Sequence, residues 1–159
     1  MAKIEFLRHL CIKPILFRME PFQPQFTLAY AGDLRTVMTH LASSEQVVTD
    51  APVDNRGRGE AFSPTDLTAS ALASCMMTVI GIKANDLGLE IHEMEARVQK
   101  TMGSGPRRII RIAIELQILA PNVSDKDKKV LERTAHACPV AQSLHPEIDQ
   151  AICLIWKAK

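Results

Sequence analysis

The sequence predicts an α+β fold in which helices pack on a mostly antiparallel sheet. Two observations indicate this class: a long apolar segment with helix-start and helix-end signals, and stretches of alternating apolar and polar residues on both sides of it. The chain has 159 residues, of which 47% are hydrophobic and 23% charged. These proportions are typical of a single globular domain with a substantial core.

The first part of the domain is expected to form strands. Residues 26–49 are rich in Thr, Val and Tyr and contain the turn signal Ala31-Gly32-Asp33. Residues 49–60 are dense in Asp, Asn and Gly, and we interpret them as a long polar loop of the kind that often borders a functional site. Residues 1–25 differ in composition, and we treat them as a leader of uncertain order and unassigned function before a domain over 26–159.

A long helix is predicted to begin at Ser63. Pro64 suits the first helical position, Asp66 completes a capping box, and Gly88 supplies the stop signal. The helix is apolar on nearly all sides, so we expect it to be central and buried. Its sixteen uncharged residues, 67–82, fall short of the ~20 that a bilayer requires, so we expect no membrane span.

Ser70, Ser74 and Thr78 recur every four residues along this helix. They form a stripe of small side chains on which a second helix can pack closely. That helix belongs either to the same chain or to another copy.

A hairpin, a second helix and a last strand complete the predicted order. Residues 94–99 alternate, a Gly- and Pro-containing turn follows at 103–106, and one strand face then carries Ile110, Ile112, Ile114, Leu116 and Ile118. We expect the second helix to begin at Ser124 and to end at Cys138-Pro139. The last strand is expected over 151–156.

Composition excludes several classes of function. The net charge is +1 and aromatic residues make up 4%, with no interleaving of basic and aromatic residues, so we expect no nucleic-acid partner and no membrane partner. The four cysteines are irregularly spaced and no secretory signal is recognisable, which favours a reducing, cytoplasmic setting. No phosphate loop, dinucleotide fingerprint or Ser-His-Asp arrangement is present.

Two cysteines carry a chemical argument. Cys75 lies about twelve residues into the long helix, roughly 18 Å from its start, where the helix dipole no longer stabilises a thiolate. It is either an inert core residue or a nucleophile activated by a nearby cation, for which Arg35, Arg56 and Arg58 are the candidates. Cys138 is expected at the negative end of the second helix, where a protonated thiol is favoured.

Together, the two cysteines suggest a redox pair. A thiolate that reacts with a peroxide becomes a sulfenic acid, which condenses with a second thiol to form a disulfide. Since 63 residues separate Cys75 from Cys138, only the fold can bring them together.

The segments around these cysteines resemble the OsmC/Ohr family of peroxide-stress proteins, in an SPTDL-type branch. The resemblance is carried by Ser63-Pro64-Thr65-Asp66-Leu67-Thr68-Ala69-Ser70-Ala71-Leu72-Ala73-Ser74-Cys75 and Ala137-Cys138-Pro139-Val140. Residues 50–55 and 143–148 are also similar, so the resemblance covers most of the chain from residue 26. It implies an intertwined homodimer in which sheets wrap round two central helices.

The resemblance also implies a function. It points to reduction of organic hydroperoxides, with Cys75 and Cys138 as the two reacting cysteines and a dithiol, lipoyl-type compound as reductant. No metal, flavin or haem cofactor is implied.

One position departs from the family pattern. Family peroxidases usually carry a Glu directly after the helix-start Pro, where it pairs with the activating Arg, and this chain has Thr65 there. Asp66 is better explained by the capping box, and Glu60 in the loop is a candidate substitute. The candidate catalytic residues are therefore Cys75, Cys138, Arg35, Arg56 and Glu60.

Two alternatives stay open at this point. The Thr65 departure supports a non-catalytic member of the family that binds a small apolar ligand in the dimer cleft. A metal site using His136, Cys138, His40 and His145 is a weaker hypothesis, because the spacing is not that of a zinc motif.

Overall fold

A computed structural model describes residues 22–157. Cys11 and the first 21 residues of the predicted leader lie outside the described residues. The elements in chain order are the strands and helices β1 (Phe26–Gly32), β2 (Arg35–His40), β3 (Gln46–Asp50), α1 (Pro64–Asp86), β4 (Glu93–Ser104), β5 (Arg107–Leu119), α2 (Asp125–His136), α3 (Pro139–Ser143) and β6 (Asp149–Lys157). A single 3₁₀ turn, Val53–Asn55, lies in the loop before α1.

The strands form two three-stranded sheets. In the N-terminal sheet, β1, β2 and β3 are neighbours in that order and both pairings are antiparallel. In the C-terminal sheet, β4 and β5 form the predicted antiparallel hairpin and β6 pairs in parallel with β5. The α+β class, with mostly antiparallel pairing, is confirmed.

Helix α1 begins where its cap residues predict. The Ser63 hydroxyl accepts a hydrogen bond from the Asp66 backbone N–H, and the Asp66 carboxylate accepts one from the Ser63 backbone N–H. Lys100 of β4 also pairs with the Asp66 carboxylate, so the cap is tied to the C-terminal sheet. The helix ends at Asp86, and Gly88 takes the left-handed conformation expected of a residue just past a helix end (φ +66°).

The core lies between α1, α2 and one face of β5. The buried residues of β5 are Ile109, Ile112, Ile114, Leu116 and Ile118. Ile110 was expected in this row but is 39% exposed. The β4–β5 register shifts between Thr101 and Met102, and this bulge places Ile109 on the core face in place of Ile110.

Helix α1 is buried on one side only. Leu72, Met76 and Ile80 are fully buried, whereas Ser74 and Thr78 of the small-residue stripe are exposed. Helix α2 packs on α1 without covering that stripe. The expectation of a helix buried all round is therefore not met within this chain. By length and composition alone α1 is also apolar enough to cross a membrane, as core helices often are.

The N-terminal sheet also leaves a large apolar surface open. Phe26, Leu28 and Tyr30 share one face of β1 and are 58%, 61% and 68% exposed. The strands of this sheet pack mainly on one another and not on the helices of residues 22–157. A contiguous apolar surface of this kind normally marks an interface.

The buried cap of α1 yields a stability prediction. Ser63→Ala removes a hydroxyl that accepts from the Asp66 N–H, donates to the Asp66 carboxylate at 2.6 Å and contacts the Thr65 hydroxyl at 3.0 Å. We expect a loss of about 1–2 kcal/mol in the free energy of unfolding, measured by urea titration at fixed protein concentration.

Ser124→Ala is the matched control, because the Ser124 hydroxyl accepts from the Asp127 N–H and donates to the Asp127 carboxylate at an exposed position, without the reciprocal backbone bond of a capping box. We expect a smaller loss there, about 0.5–1 kcal/mol. Equal losses in the two variants would show that the burial of the Ser63 cap adds nothing.

Candidate functional site

Two helices position the two predicted cysteines. Cys75 lies in the middle of α1, half-buried against the core. Cys138 lies between α2 and α3 and is 1% exposed. Helix α3 packs on α1, which carries Cys138 towards Cys75.

The structure brings the two thiols close together. The Cys75 side chain lies near enough to the Cys138 thiol to raise its pKa, although 63 residues separate the two in the sequence. Both thiols are free. The arrangement therefore holds a reduced dithiol at the packing contact between α1 and α3.

Burial is the main reason that Cys138 stays protonated. It raises the pKa of the Cys138 thiol above its ordinary value, and the neighbouring Cys75 raises it further. The backbone N–H groups of Ala141 and Val140 act in the opposite direction without reversing the effect. Cys138 thus suits the role of a thiol that waits in its protonated form.

Cys138 follows the end of α2 as expected, but burial rather than the helix end is the main cause of its protonation, and the sequence did not predict the next helix. Helix α2 ends at His136, and Cys138 is the N-cap of the following helix, α3, where its sulfur accepts a hydrogen bond from the Ala141 N–H at 3.4 Å. Pro139 ends no helix but begins α3.

Of the three candidate arginines, Arg35 lies in the most developed charged cluster. Its Nη2 atom donates to Glu60 Oε2 at 2.7 Å and to Asp50 Oδ2 at 3.1 Å. Arg58 pairs with Asp33 at 2.5 Å. Arg56 is exposed, and within residues 22–157 it forms no ion pair.

The cluster contains one residue that the sequence reasoning missed. Asp50 is fully buried at the end of β3, and its pKa is held below the ordinary value chiefly by the Glu60 backbone N–H and also by Arg35, against the opposing effect of burial. The bonds to Glu60 and Asp50 in turn raise the pKa of Arg35. The sequence signal that could have identified Asp50 is the presence of a charged residue at the end of an otherwise apolar and Thr-containing strand.

The cysteine pair and the Arg35 cluster are separate within one chain. Arg35, Asp50 and Glu60 belong to the N-terminal sheet and its loop, whereas Cys75 and Cys138 belong to α1 and α3. No hydrogen bond or ion pair between residues 22 and 157 joins the two groups.

Position 65 takes no part in the Arg35 cluster. The Thr65 hydroxyl contacts Ser63 Oγ at 3.0 Å, and the Asp66 carboxylate is held by Ser63 and Lys100. Within residues 22–157, Glu60 is the glutamate that pairs with Arg35.

The metal hypothesis gains no support from the geometry. Among the residues that the structure describes, no three His, Cys, Asp or Glu side chains are grouped as metal ligands would be. His40 instead contacts the Ser43 hydroxyl at 2.8 Å.

Comparisons with known proteins agree with this architecture. A solved structure of a putative osmotic stress induced and detoxification response protein from Psychrobacter arcticus is 46% identical and superposes with a TM-score of 0.81, covering 86% of this chain and 98% of that one. A putative organic hydroperoxide resistance protein from Vibrio cholerae, solved with captopril in one of its active sites, is 22% identical with a TM-score of 0.65, covering 87% of this chain and 95% of that one. At that identity the likeness shows the fold alone.

A curated relative and a family model complete the comparison. An uncharacterized protein of Methanocaldococcus jannaschii is 27% identical over 97 residues, which are 60% of this chain and 51% of that protein. The chain thus spans about half the length of the curated relative that it matches. The model of the family described as OsmC-like protein matches residues 57–152, from the loop before α1 to β6. Because this match covers more than half of the chain, the protein belongs to the OsmC-like family.

Proposed function

We propose that this protein is a thiol-dependent peroxidase that reduces organic hydroperoxides. Cys75 is the attacking residue and Cys138 the resolving residue. The observation that carries the proposal is the proximity of two free thiols of unequal environment, one half-buried and one fully buried with a raised pKa. Such a pair suits a division between a reactive and a waiting thiol.

The proposed reaction proceeds in two steps. The Cys75 thiolate attacks the terminal peroxide oxygen, the O–O bond breaks, and the departing alkoxide takes a proton and leaves as the alcohol. Cys75 is then a sulfenic acid. The Cys138 thiol condenses with it, a disulfide forms, and water leaves. An external dithiol, such as a lipoyl group, reduces the disulfide and is itself oxidised.

We assign Arg35 to the stabilisation of the Cys75 thiolate. Its guanidinium is placed by two carboxylates, whereas Arg56 is exposed and Arg58 is paired with exposed Asp33. Glu60 supplies the carboxylate that the family places after the helix-start proline. A cation beside a thiol lowers its pKa and so raises the thiolate fraction at neutral pH.

This assignment requires a second copy of the chain, so we propose a homodimer. The N-terminal sheet exposes Phe26, Leu28 and Tyr30, and α1 exposes its small-residue stripe at Ser74 and Thr78. A partner subunit that covers both surfaces places the Arg35 cluster of one subunit beside the Cys75 of the other. The site is incomplete without the partner.

The surroundings of Cys75 favour a bulky, apolar hydroperoxide. Cys75 packs against the apolar core, and α1 presents Ile82 in a 56% exposed position on its open side. The chemistry needs no metal, flavin or haem. Because the disulfide must be reduced after each turnover, we place the protein in the cytoplasm, where dithiol reductants are maintained.

A peroxide-consumption assay tests the reaction. With cumene hydroperoxide and dithiothreitol, we expect Cys75→Ser to lose at least about 100-fold in rate, because no other group becomes the sulfenic acid. Cys138→Ser should retain the first turnover and lose sustained turnover. Cys153→Ser is the control, because Cys153 is an exposed thiol on β6, and its rate should equal that of the unaltered protein.

Two outcomes would contradict the peroxidase proposal. Peroxide loss that persists in Cys75→Ser would exclude Cys75 as the attacking thiol. No peroxide loss in any form, together with a bound lipid-like molecule detected by mass spectrometry, would favour the non-catalytic ligand-binding alternative, which Thr65 at the usual Glu position supports.

Light scattering coupled to gel filtration tests the dimer. We expect about twice the chain mass of 17.6 kDa, and we expect Leu28→Asp to yield monomer or aggregate because it buries a charge in the interface. Thr27→Asp is the matched control on the other face of β1 and should remain dimeric. A monomeric unaltered protein would remove both the dimer and the assignment of Arg35 to Cys75.

A further inference from the structure

Asp50 is the buried anchor of the Arg35 cluster. Its side chain is 0% exposed, whereas the side chains of Arg35 and Glu60 are 31% and 59% exposed. Its backbone N–H donates to the Phe62 carbonyl at 3.1 Å, and the Ala51 N–H donates to the Leu34 carbonyl at 3.2 Å. The chain is therefore fixed on both sides of this carboxylate.

One oxygen of Asp50 performs two tasks. Oδ2 accepts from Arg35 Nη2 at 3.1 Å and from the Glu60 backbone N–H at 3.1 Å. It thus holds the arginine and also the end of the loop that carries Glu60. Arg58 contributes further positive charge near Asp50 without a direct bond.

The other oxygen of Asp50 has no partner among residues 22–157. Oδ1 is buried and accepts no hydrogen bond there. A buried carboxylate oxygen without a partner costs free energy, so an uncharged residue would be the more stable choice if packing alone mattered. A role in placing the arginine accounts for this cost.

The geometry leaves most of the guanidinium available. Both carboxylates contact the same atom, Nη2, and Nη1 and Nε form no hydrogen bond within the described part of the chain. A guanidinium offers five N–H donors, so those on Nη1 and Nε remain free to face a thiolate. The position of Asp50 decides where those free donors point.

We propose that Asp50 is the positioning residue that fixes Arg35 for its task at Cys75, and that Glu60 is a secondary, exchangeable partner of the same guanidinium. This inference rests on the proposed function, because it assumes that Arg35 serves the Cys75 thiolate. It assigns the decisive contact to the buried carboxylate and not to the exposed one. When Asp50 is lost, Arg35 follows Glu60 towards solvent and leaves the thiol.

The test measures how fast iodoacetamide alkylates Cys75 between pH 5 and 10, using the reduced full-length protein. Mass spectrometry of the Cys75 peptide isolates this thiol from the other cysteines, and the readout does not depend on peroxidase turnover. We expect Asp50→Asn to slow alkylation about five- to tenfold at pH 7, because a displaced guanidinium no longer favours the reactive thiolate of Cys75. The rates should converge at high pH, where Cys75 ionises without help. Cys138, which faces Cys75, is unaltered in all variants.

Four companion variants complete the design. Arg35→Met should reproduce the Asp50→Asn profile, and the double variant should add nothing further. Glu60→Gln should slow alkylation at pH 7 by less than Asp50→Asn does, because Glu60 is exposed and its contact with Arg35 is screened by solvent. Asp50→Glu keeps the charge and moves the carboxylate, so it should also slow alkylation at pH 7, by at least about threefold if position matters.

Each contrary result overturns the inference in a recognisable way. Faster alkylation at pH 7 in Asp50→Asn would mean that Asp50 acts only as a nearby negative charge, and unaltered rates in Asp50→Glu would mean the same. A loss that is equal at every pH would indicate a purely structural role. An Arg35→Met profile equal to that of the unaltered protein would remove Arg35 from the site. Failure of the peroxidase proposal is detected by a different experiment, the measurement of peroxide consumption by Cys75→Ser.

Discussion

The proximity of the Cys75 and Cys138 thiols depends on how α3 packs against α1. Cys75 is carried by a 23-residue helix that a buried capping box starts at Ser63. Cys138 is held at the start of α3, whose position is fixed by packing on α1 and by a hydrogen bond from Gln150 of β6 to the Ala141 carbonyl at 3.2 Å. A rotation of either helix would separate the sulfurs, so the packing of α3 on α1 keeps the two thiols close together.

The second constraint is that the chain does not cover its own apolar surfaces. The open side of α1 exposes Ile82, and one face of β1 exposes Phe26, Leu28 and Tyr30. Within one chain, the Arg35 cluster on the N-terminal sheet is also separate from the cysteines on α1 and α3. A homodimer would resolve both facts together, because one association would bury the apolar surfaces and complete the site. The dimer is therefore part of the chemical proposal as well as of the stability of the fold.

Local signals in the sequence predicted the local structure. Features that depend on contacts between distant residues could not be predicted in the same way. The start of α1 followed from Ser63, Pro64 and Asp66, because a capping box is made by neighbours. The exclusion of Ile110 from the core depends on the β4–β5 register, which alternation alone does not define. Cys138-Pro139 was interpreted only as a helix end. Proline is equally compatible with the first position of a helix, and here Pro139 begins α3. The Arg35–Asp50–Glu60 cluster joins residues 15 and 25 positions apart, and no spacing rule predicts such a contact.

Peptide mapping after a single oxidation tests the central claim most directly. The reduced full-length protein would receive one equivalent of cumene hydroperoxide, free thiols would then be blocked with N-ethylmaleimide, and a non-reducing digest would be analysed by mass spectrometry. The account predicts one dominant product in which the Cys75 and Cys138 peptides are joined by a disulfide, with Cys153 blocked. Recovery of both peptides as blocked thiols, or of Cys75 as sulfinic acid with Cys138 blocked, would contradict it.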